Sequence, residues 1–317
     1  MPHHFFAPLQ QRARPMLRRC APVGLLCIAL PIMPLKAQPP AFPAKAIEAQ
    51  LQAPIMLKLA DNLRITGIPE QGGFMIGQTD PGTHLWLDDI SVPVSKTGIF
   101  TLGFGRNHGE IATLIVQHGT KGSSRKSYPI TITPRHWQIE RINGLPKKHV
   151  SPDPQALEKI RADAAAIRQI RSQISDGTLF MHGFKPPAKG RISGVFGSQR
   201  ILNGAPRSPH SGQDIAAKTG TPVFATAPGT VSLVDNNMLL MGKTVMVDHG
   251  LGVQSVYIHL HTVAVQPGQQ VSAASKIGTI GATGRATGPH LHWGVSWKGT
   301  KLDPATVLKA WPVPAKE

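Results

Sequence analysis

The sequence predicts a mainly β protein: an N-terminal antiparallel β-sandwich, a connecting α-helix and a C-terminal all-β domain that carries the chemistry. Three observations carry this reading. Short Val- and Ile-rich runs are separated by Gly, Pro and Asn turns at intervals of about eight to twelve residues, the pattern of sandwiches and barrels. Residues 153–176 instead repeat apolar side chains at helical spacing. Histidines with metal-ligand spacing gather in the last third of the chain.

The N-terminus reads as an export signal. Arg12, Arg14, Arg18 and Arg19 precede the apolar run APVGLLCIALPIMPL, and Lys36 and Ala37 follow it. A basic segment, a short apolar segment and a small residue at a cleavage point make residues 1–37 a signal peptide, with Met16 as a second candidate start. Pro22, Pro31 and Pro34 break the run too often for a bilayer span. Cys20 and Cys27, the two cysteines, both lie inside it, so the mature chain is expected to be cysteine-free, exported, and periplasmic or otherwise associated with the envelope.

The full chain carries a formal +17, and removing residues 1–37 leaves 29 basic against 17 acidic side chains, a net +12. Such a surface favours polyanionic surroundings, cell-wall polymers or anionic lipid among them. Nucleic acid is not expected as a partner, because aromatics are 5% of the chain and no recognition motif is present.

Residues 46–134 contain the alternating runs IMLKLA, LRITG, GGFMIGQT, THLWLDD, ATLIVQH and YPITIT, with DPG, KTG and GRNHG as turns. This predicts a small antiparallel sandwich, immunoglobulin-like in style. Its His84, His108, His118 and neighbouring His136 have no ligand spacing and are expected at the surface.

A helical connector and linker, 135–184, comes next. Asp153 caps the helix, Pro154 suits its first turn, and Leu157, Ile160, Ala164, Ile167, Ile170 or Arg171, and Ile174 recur at helical spacing up to a stop at Gly177. A sharper expectation is that this helix or its flanks pack over the catalytic cleft and restrict access. FKPPAKG reads as a linker into a domain at 185–310. There, PVFA, GTVSLV, KTVMVDH, VQSVYIHL and HLHWGVSW are the strands, and AxPGTV and VQPGQQV are Pro-Gly turns. GATGRATGP lacks the following helix and the Lys of a phosphate loop, and is expected to be a tight loop that lets backbone approach substrate or delivers HLH to the metal.

The chemistry sits in RSPHSGQD and TGPHLHWG. In an extended strand, side chains two apart share a face, so His290 and His292 point into one space while Leu291 points into the core. His210 and Asp214 flank Gly212 behind Pro209, which predicts a bent loop entering a strand rather than a helix. Three of these four side chains suffice for a borderline metal such as zinc, leaving one for proton transfer. With no cysteine nearby, an open catalytic site is favoured over a closed structural one. Alternation along VYIHLHTV places Val256, Ile258 and Leu260 on one face, with Tyr257, His259 and His261 on the other.

From about residue 190 to residue 304, RISGVFGSQR, HSGQDIAAKTGTPVFATAPGTV, TVMVDHGLGVQSVYIHL, VQPGQQVSAASKIGTIGATGRATGPHLHWGV and LDP follow in an order that resembles the M23 peptidases, the lysostaphin-like or LytM-like cell-wall endopeptidases. The resemblance implies that His210, Asp214 and His292 bind one Zn2+ and that His259 and His290 are the two non-ligand histidines of the active site. It implies a zinc metalloendopeptidase acting on peptidoglycan, with an envelope regulator as a possible further partner. His261 has no counterpart and is expected at the rim. Two rival functions are a non-catalytic M23-like activator of cell-wall amidases, whose known forms typically lack ligands kept here, and an envelope metalloprotease acting on proteins.

Overall fold

A computed structural model describes residues 52–119, 124–143 and 154–311; the signal-peptide reading, both cysteines and the helix cap Asp153 lie outside the described residues. The first eight strands are β1 (Ile55–Ala60), β2 (Leu63–Gly67), β3 (Phe74–Gln78), β4 (His84–Leu87), β5 (Ile90–Val92), β6 (Ile99–Gly103), β7 (Ile111–Gln117) and β8 (Arg125–Thr131). They make two four-stranded antiparallel sheets, ordered β1-β2-β3-β6 and β5-β4-β7-β8. Strand periodicity sets which residues enter the core: Leu63 and Ile65 of β2, Leu85 and Leu87 of β4, and Ala112, Leu114 and Val116 of β7 are all buried.

After β9 (Ile139–Ile142), helix α1 (Pro154–Ser172) and a 3-10 turn at Leu179–His182, the chain enters the C-terminal sheet. Its strands are β10 (Arg191–Gly194), β13 (Gln213–Ala216), β14 (Pro222–Phe224), β15 (Gly229–Met238), β16 (Gly242–Gly250), β17 (Val253–Val263), β18 (Gln270–Val271), β19 (Lys276–Ile280), β20 (His290–Trp297) and β21 (Thr300–Leu302). The main path is β10-β13-β20-β17-β16-β15-β18, and α2 (Pro304–Lys309) follows β21. A small third element joins β9 in parallel to β11 (Gln199–Leu202), which pairs in turn with β12 (Ala205–Pro206).

One apolar cluster runs from the sandwich into this sheet, from Leu63, Phe74 and Phe100 to Trp293, Trp297 and Leu302. Polar contacts reinforce the junction. Asp303 N donates to Gly72 O at 2.8 Å, Arg135 Nη1 donates to Asp303 Oδ2 at 2.7 Å, and Asp303 Oδ1 caps α2 through Ala305 N at 2.9 Å.

Two expectations are corrected. The helix ends at Ser172, short of Gly177, because Ser175 O accepts from Leu251 N at 2.8 Å and draws the chain onto the β16–β17 turn. Of its apolar series only Ile167 is buried, while Leu157 and Ile174 remain exposed. At the start of FKPPAKG, Phe184 is buried with its ring 5.2 Å from that of His249 and 5.6 Å from that of Trp311. Simple alternation also fails on β17. Tyr257 and Leu260 enter the main core, whereas Val256 and Ile258 join a second cluster on the opposite face. A register shift opposite Lys243–Val245 and a positive φ of 63° at His259 mark the bulge that changes the phase.

Candidate metal centre and active site

Strand pairing places the first two site groups side by side. Asp214 of β13 stands directly opposite His292 of β20, and the next pair, Ile215 and Leu291, points the other way into the core. His210 arrives on the loop before β13. Two backbone hydrogen bonds hold that loop: Gly197 N donates to His210 O at 2.9 Å and His210 N to Ser198 O at 2.8 Å.

The three side chains converge on one point. His210 Nε2 lies 3.0 Å from Asp214 Oδ1 and 2.9 Å from His292 Nδ1, and His292 Nδ1 lies 2.8 Å from the same carboxylate oxygen. His210 Nδ1 sits 2.9 Å from Val195 O, which fixes that nitrogen as the donor and leaves the Nε2 lone pair aimed at the other two groups. Three electron-pair donors so close repel one another unless a proton or cation lies among them. Ligands of a tetrahedral zinc ion, at bonds of about 2.0–2.1 Å, stand about 3.3 Å apart, close to the observed spacing.

Glycines keep the room clear. A Cβ on Gly194 would strike the Asp214 carboxylate, and one on Gly212 would meet His292 Nε2 at 2.9 Å. The donor set and this cradle both fit a metal ion. Burial on its own would raise the Asp214 carboxyl, but hydrogen bonds and charge from His210 and His292 hold it well below the usual carboxylate range.

His259 and His290 form the other half, with ring centroids 4.7 Å apart. His259 Nδ1 lies 2.7 Å from Thr283 O, and His290 Nδ1 lies 2.8 Å from Gly288 O. Each Nδ1 is therefore the protonated nitrogen of the neutral ring, and each Nε2 is free to accept a proton. Burial pushes His259 down to about 4, so it is neutral at pH 7. The bulge at His259 is what turns its ring to this face, at the cost of a left-handed backbone that β-strands rarely adopt.

The other histidines stay apart from this convergent group. His261 is exposed at the strand end. His84, His108, His118 and His136 belong to no metal-competent cluster among the described residues. His108 is only partly surface-like, with Nε2 3.2 Å from Asp88 Oδ2.

Long-range support for His210 escaped the sequence reading. Arg106 Nε, from the sandwich, donates to Gly197 O at 2.7 Å, and its guanidinium lies 5.1 Å from the Trp137 ring centre. Trp137 packs edge-on against Phe196 at 5.8 Å and takes Arg135 on its ring at 4.7 Å. The segment whose Val195 carbonyl orients His210 is thus braced by residues outside the C-terminal sheet. No motif announces this, since it joins positions about ninety residues apart. Helix α1 lies on the same sheet face as the metal-competent groups: Ile167 packs with Val256 and Ile258, and Ile258 stands opposite His292. It flanks the site, and Asp163 anchors it by accepting from Leu239 N at 2.8 Å.

Residues 208–304 match the model of Peptidase family M23, which spans all of the convergent groups except the backbone braces before His210. The chain carries an M23 peptidase domain. The peptidoglycan DD-endopeptidase ShyA of Vibrio cholerae is 38% identical over 133 residues, covering 41% of this chain and 31% of that protein. The DD-carboxypeptidase/endopeptidase Mpg of Neisseria meningitidis is 39% identical over 105 residues, covering 33% and 24% respectively. The chain therefore spans about a third or less of the length of these curated relatives. A crystal structure of a candidate M23 peptidase from Pseudomonas aeruginosa superposes with a TM-score of 0.57 at 27% identity, covering 77% of this chain and 96% of that one. That coverage reaches well beyond the M23 domain alone.

Proposed function

We propose that this protein is a zinc metalloendopeptidase of the cell envelope that hydrolyses peptide bonds in peptidoglycan cross-links or stem peptides. The observation that carries the reading is the convergence of His210, Asp214 and His292 beside the paired rings of His259 and His290. In this reading the first three hold the ion and leave a coordination position open. Zinc bound there would supply Lewis-acid polarisation of the scissile carbonyl and hydroxide at neutral pH.

The chain's own residues do the rest. His210 is kept in its ligand tautomer by Val195 O, and Asp214 stays ionised, so both can bind a cation at neutral pH. The free Nε2 of His259 or His290 accepts the proton released by the attacking water. Once protonated, that ring donates to the leaving amine. The backbone carbonyls at Thr283 and Gly288 orient these two rings.

The substrate rests on the named relatives. The organisation proposed with it is a signal peptide at 1–37, a sandwich at 46–134, a connector at 135–184 and a peptidase domain at 185–310, acting after export. A non-catalytic activator role is disfavoured because all five groups are present. The purified protein should contain about one zinc per chain and release soluble fragments from purified peptidoglycan, with chelation stopping the release and zinc restoring it. Full zinc occupancy without any fragment release would refute the peptidoglycan-hydrolase reading.

A further inference from the structure

Beyond the metal centre, the same face of the sheet carries a second cluster of charged groups. Along β20 the side chains of His292, Gly294 and Ser296 alternate onto this face, so Ser296 lies about 13 Å from His292 at about 3.3 Å per residue. Ser296 stands opposite Lys301 of β21 on one side and Gln254 of β17 on the other. Lys301, Ser296 and Gln254 thus form a row across three neighbouring strands. The last turn of α1 closes over it, because Gln254 Nε2 donates to Ile170 O at 3.2 Å, and the next residue is Arg171.

Two buried polar atoms of this row, one donor and one acceptor, lack partners. Arg171 Nε is buried with no hydrogen-bonding partner, as is Gln254 Oε1. Asp248 stands opposite Gln254 one strand further on, and its carboxylate accepts from Gly250 N at 3.1 Å. Burial lowers Arg171 to about 10, and burial together with the charge of Arg171 pushes Lys301 down to about 7. Two like charges withdrawn from water are costly unless an anion compensates them. Both side chains keep partial exposure, so a small ligand can reach them.

We propose that Arg171 and Lys301, set over Gln254 and Ser296, form an anion-binding site that takes a carboxylate. Arg supplies a planar fork, Lys a point charge, and the Ser hydroxyl a further donor, a set suited to a flat two-oxygen group. If the proposed function holds, the carboxylates of wall peptides are its natural source, and binding there would anchor substrate away from the metal. The binding test below does not depend on that reading.

The test follows thermal unfolding of the full chain against acetate, and separately against inorganic phosphate, at pH 7 and at ionic strength fixed with chloride. Acetate should raise Tm saturably, by about 3 °C at ten times its Kd. Lys301→Met and Arg171→Met should each abolish that rise while keeping the zinc content of the wild type. A response to phosphate alone would overturn the carboxylate assignment. No response to either anion, or an undiminished response in both variants, would overturn the site and leave a water bridge between Arg171 Nε and Gln254 Oε1. Failure of peptidoglycan digestion with the acetate response intact would count against the proposed function alone.

Discussion

The two faces of β20 divide the work of the molecule. Leu291, Trp293, Val295 and Trp297 point into the continuous apolar core and are all essentially inaccessible to solvent. His290, His292, Gly294 and Ser296 point the other way, towards the metal-competent groups, α1 and the cation row. One strand of eight residues thus holds the fold with alternate side chains and presents the metal-competent face with the others. Strand register decides which set faces which way, and a one-residue slip would exchange the two.

The largest effect that would sharpen this contrast is on stability. Trp293→Ala should cost about 3–5 kcal/mol in urea unfolding, as expected for a buried aromatic, yet leave zinc stoichiometry unchanged in the folded fraction. Zinc loss without destabilisation would break the division of labour.

A pH effect follows on the core side. His249 is fully buried, with Nδ1 2.7 Å from Pro228 O and Nε2 2.8 Å from Ser255 Oγ, and burial lowers it to about 4. Between pH 4 and 6.5 the unfolded chain binds a proton that the native chain refuses, so its contribution is intact above pH 6.5 and falls away towards pH 4. The loss amounts to about 3 kcal/mol. His249→Gln should flatten the fall in stability between pH 7 and 4.5; an unchanged slope would assign the acid sensitivity elsewhere.

On the chemical face, His259→Ala should retain zinc and lose roughly 10²-fold or more in turnover, the usual contribution of one acid–base group. Retained turnover would remove it from the mechanism. The smallest effect is expected from Trp137→Ala, which loosens the brace behind Val195 and should weaken zinc affinity by about tenfold, read by competition with a chelator. Unaltered affinity would reduce the sandwich-side brace to packing alone.

Much of this was legible in the sequence because the signals are local. HLH fixes two imidazoles on one face by the strand period alone, and the Gly and Pro around His210 exclude a helix there. The sandwich strands follow from alternation in runs such as LRITG and ATLIVQ, whose inward residues are buried. What stayed hidden depends on pairing between distant segments. The bulge at His259 coincides with a register shift against β16 and puts Leu260 in the core beside Tyr257, opposite to the alternation reading. The end of α1 is set by a hydrogen bond from Leu251, which no capping motif marks. The Arg106–Trp137 brace and the row of Lys301 with Arg171 join residues whose proximity exists only in the folded chain.

Metal analysis of His292→Ala beside Leu291→Ala decides whether the even-numbered face of β20 binds the metal and the odd-numbered face does not. His292→Ala should stay folded, lose stoichiometric zinc and fall by roughly 10³-fold or more in peptidoglycan release, since the lost metal contribution is several kcal/mol. Leu291→Ala should be less stable by about 2–5 kcal/mol but keep one zinc per chain. Stoichiometric zinc and wild-type release in His292→Ala would contradict this division of the two faces.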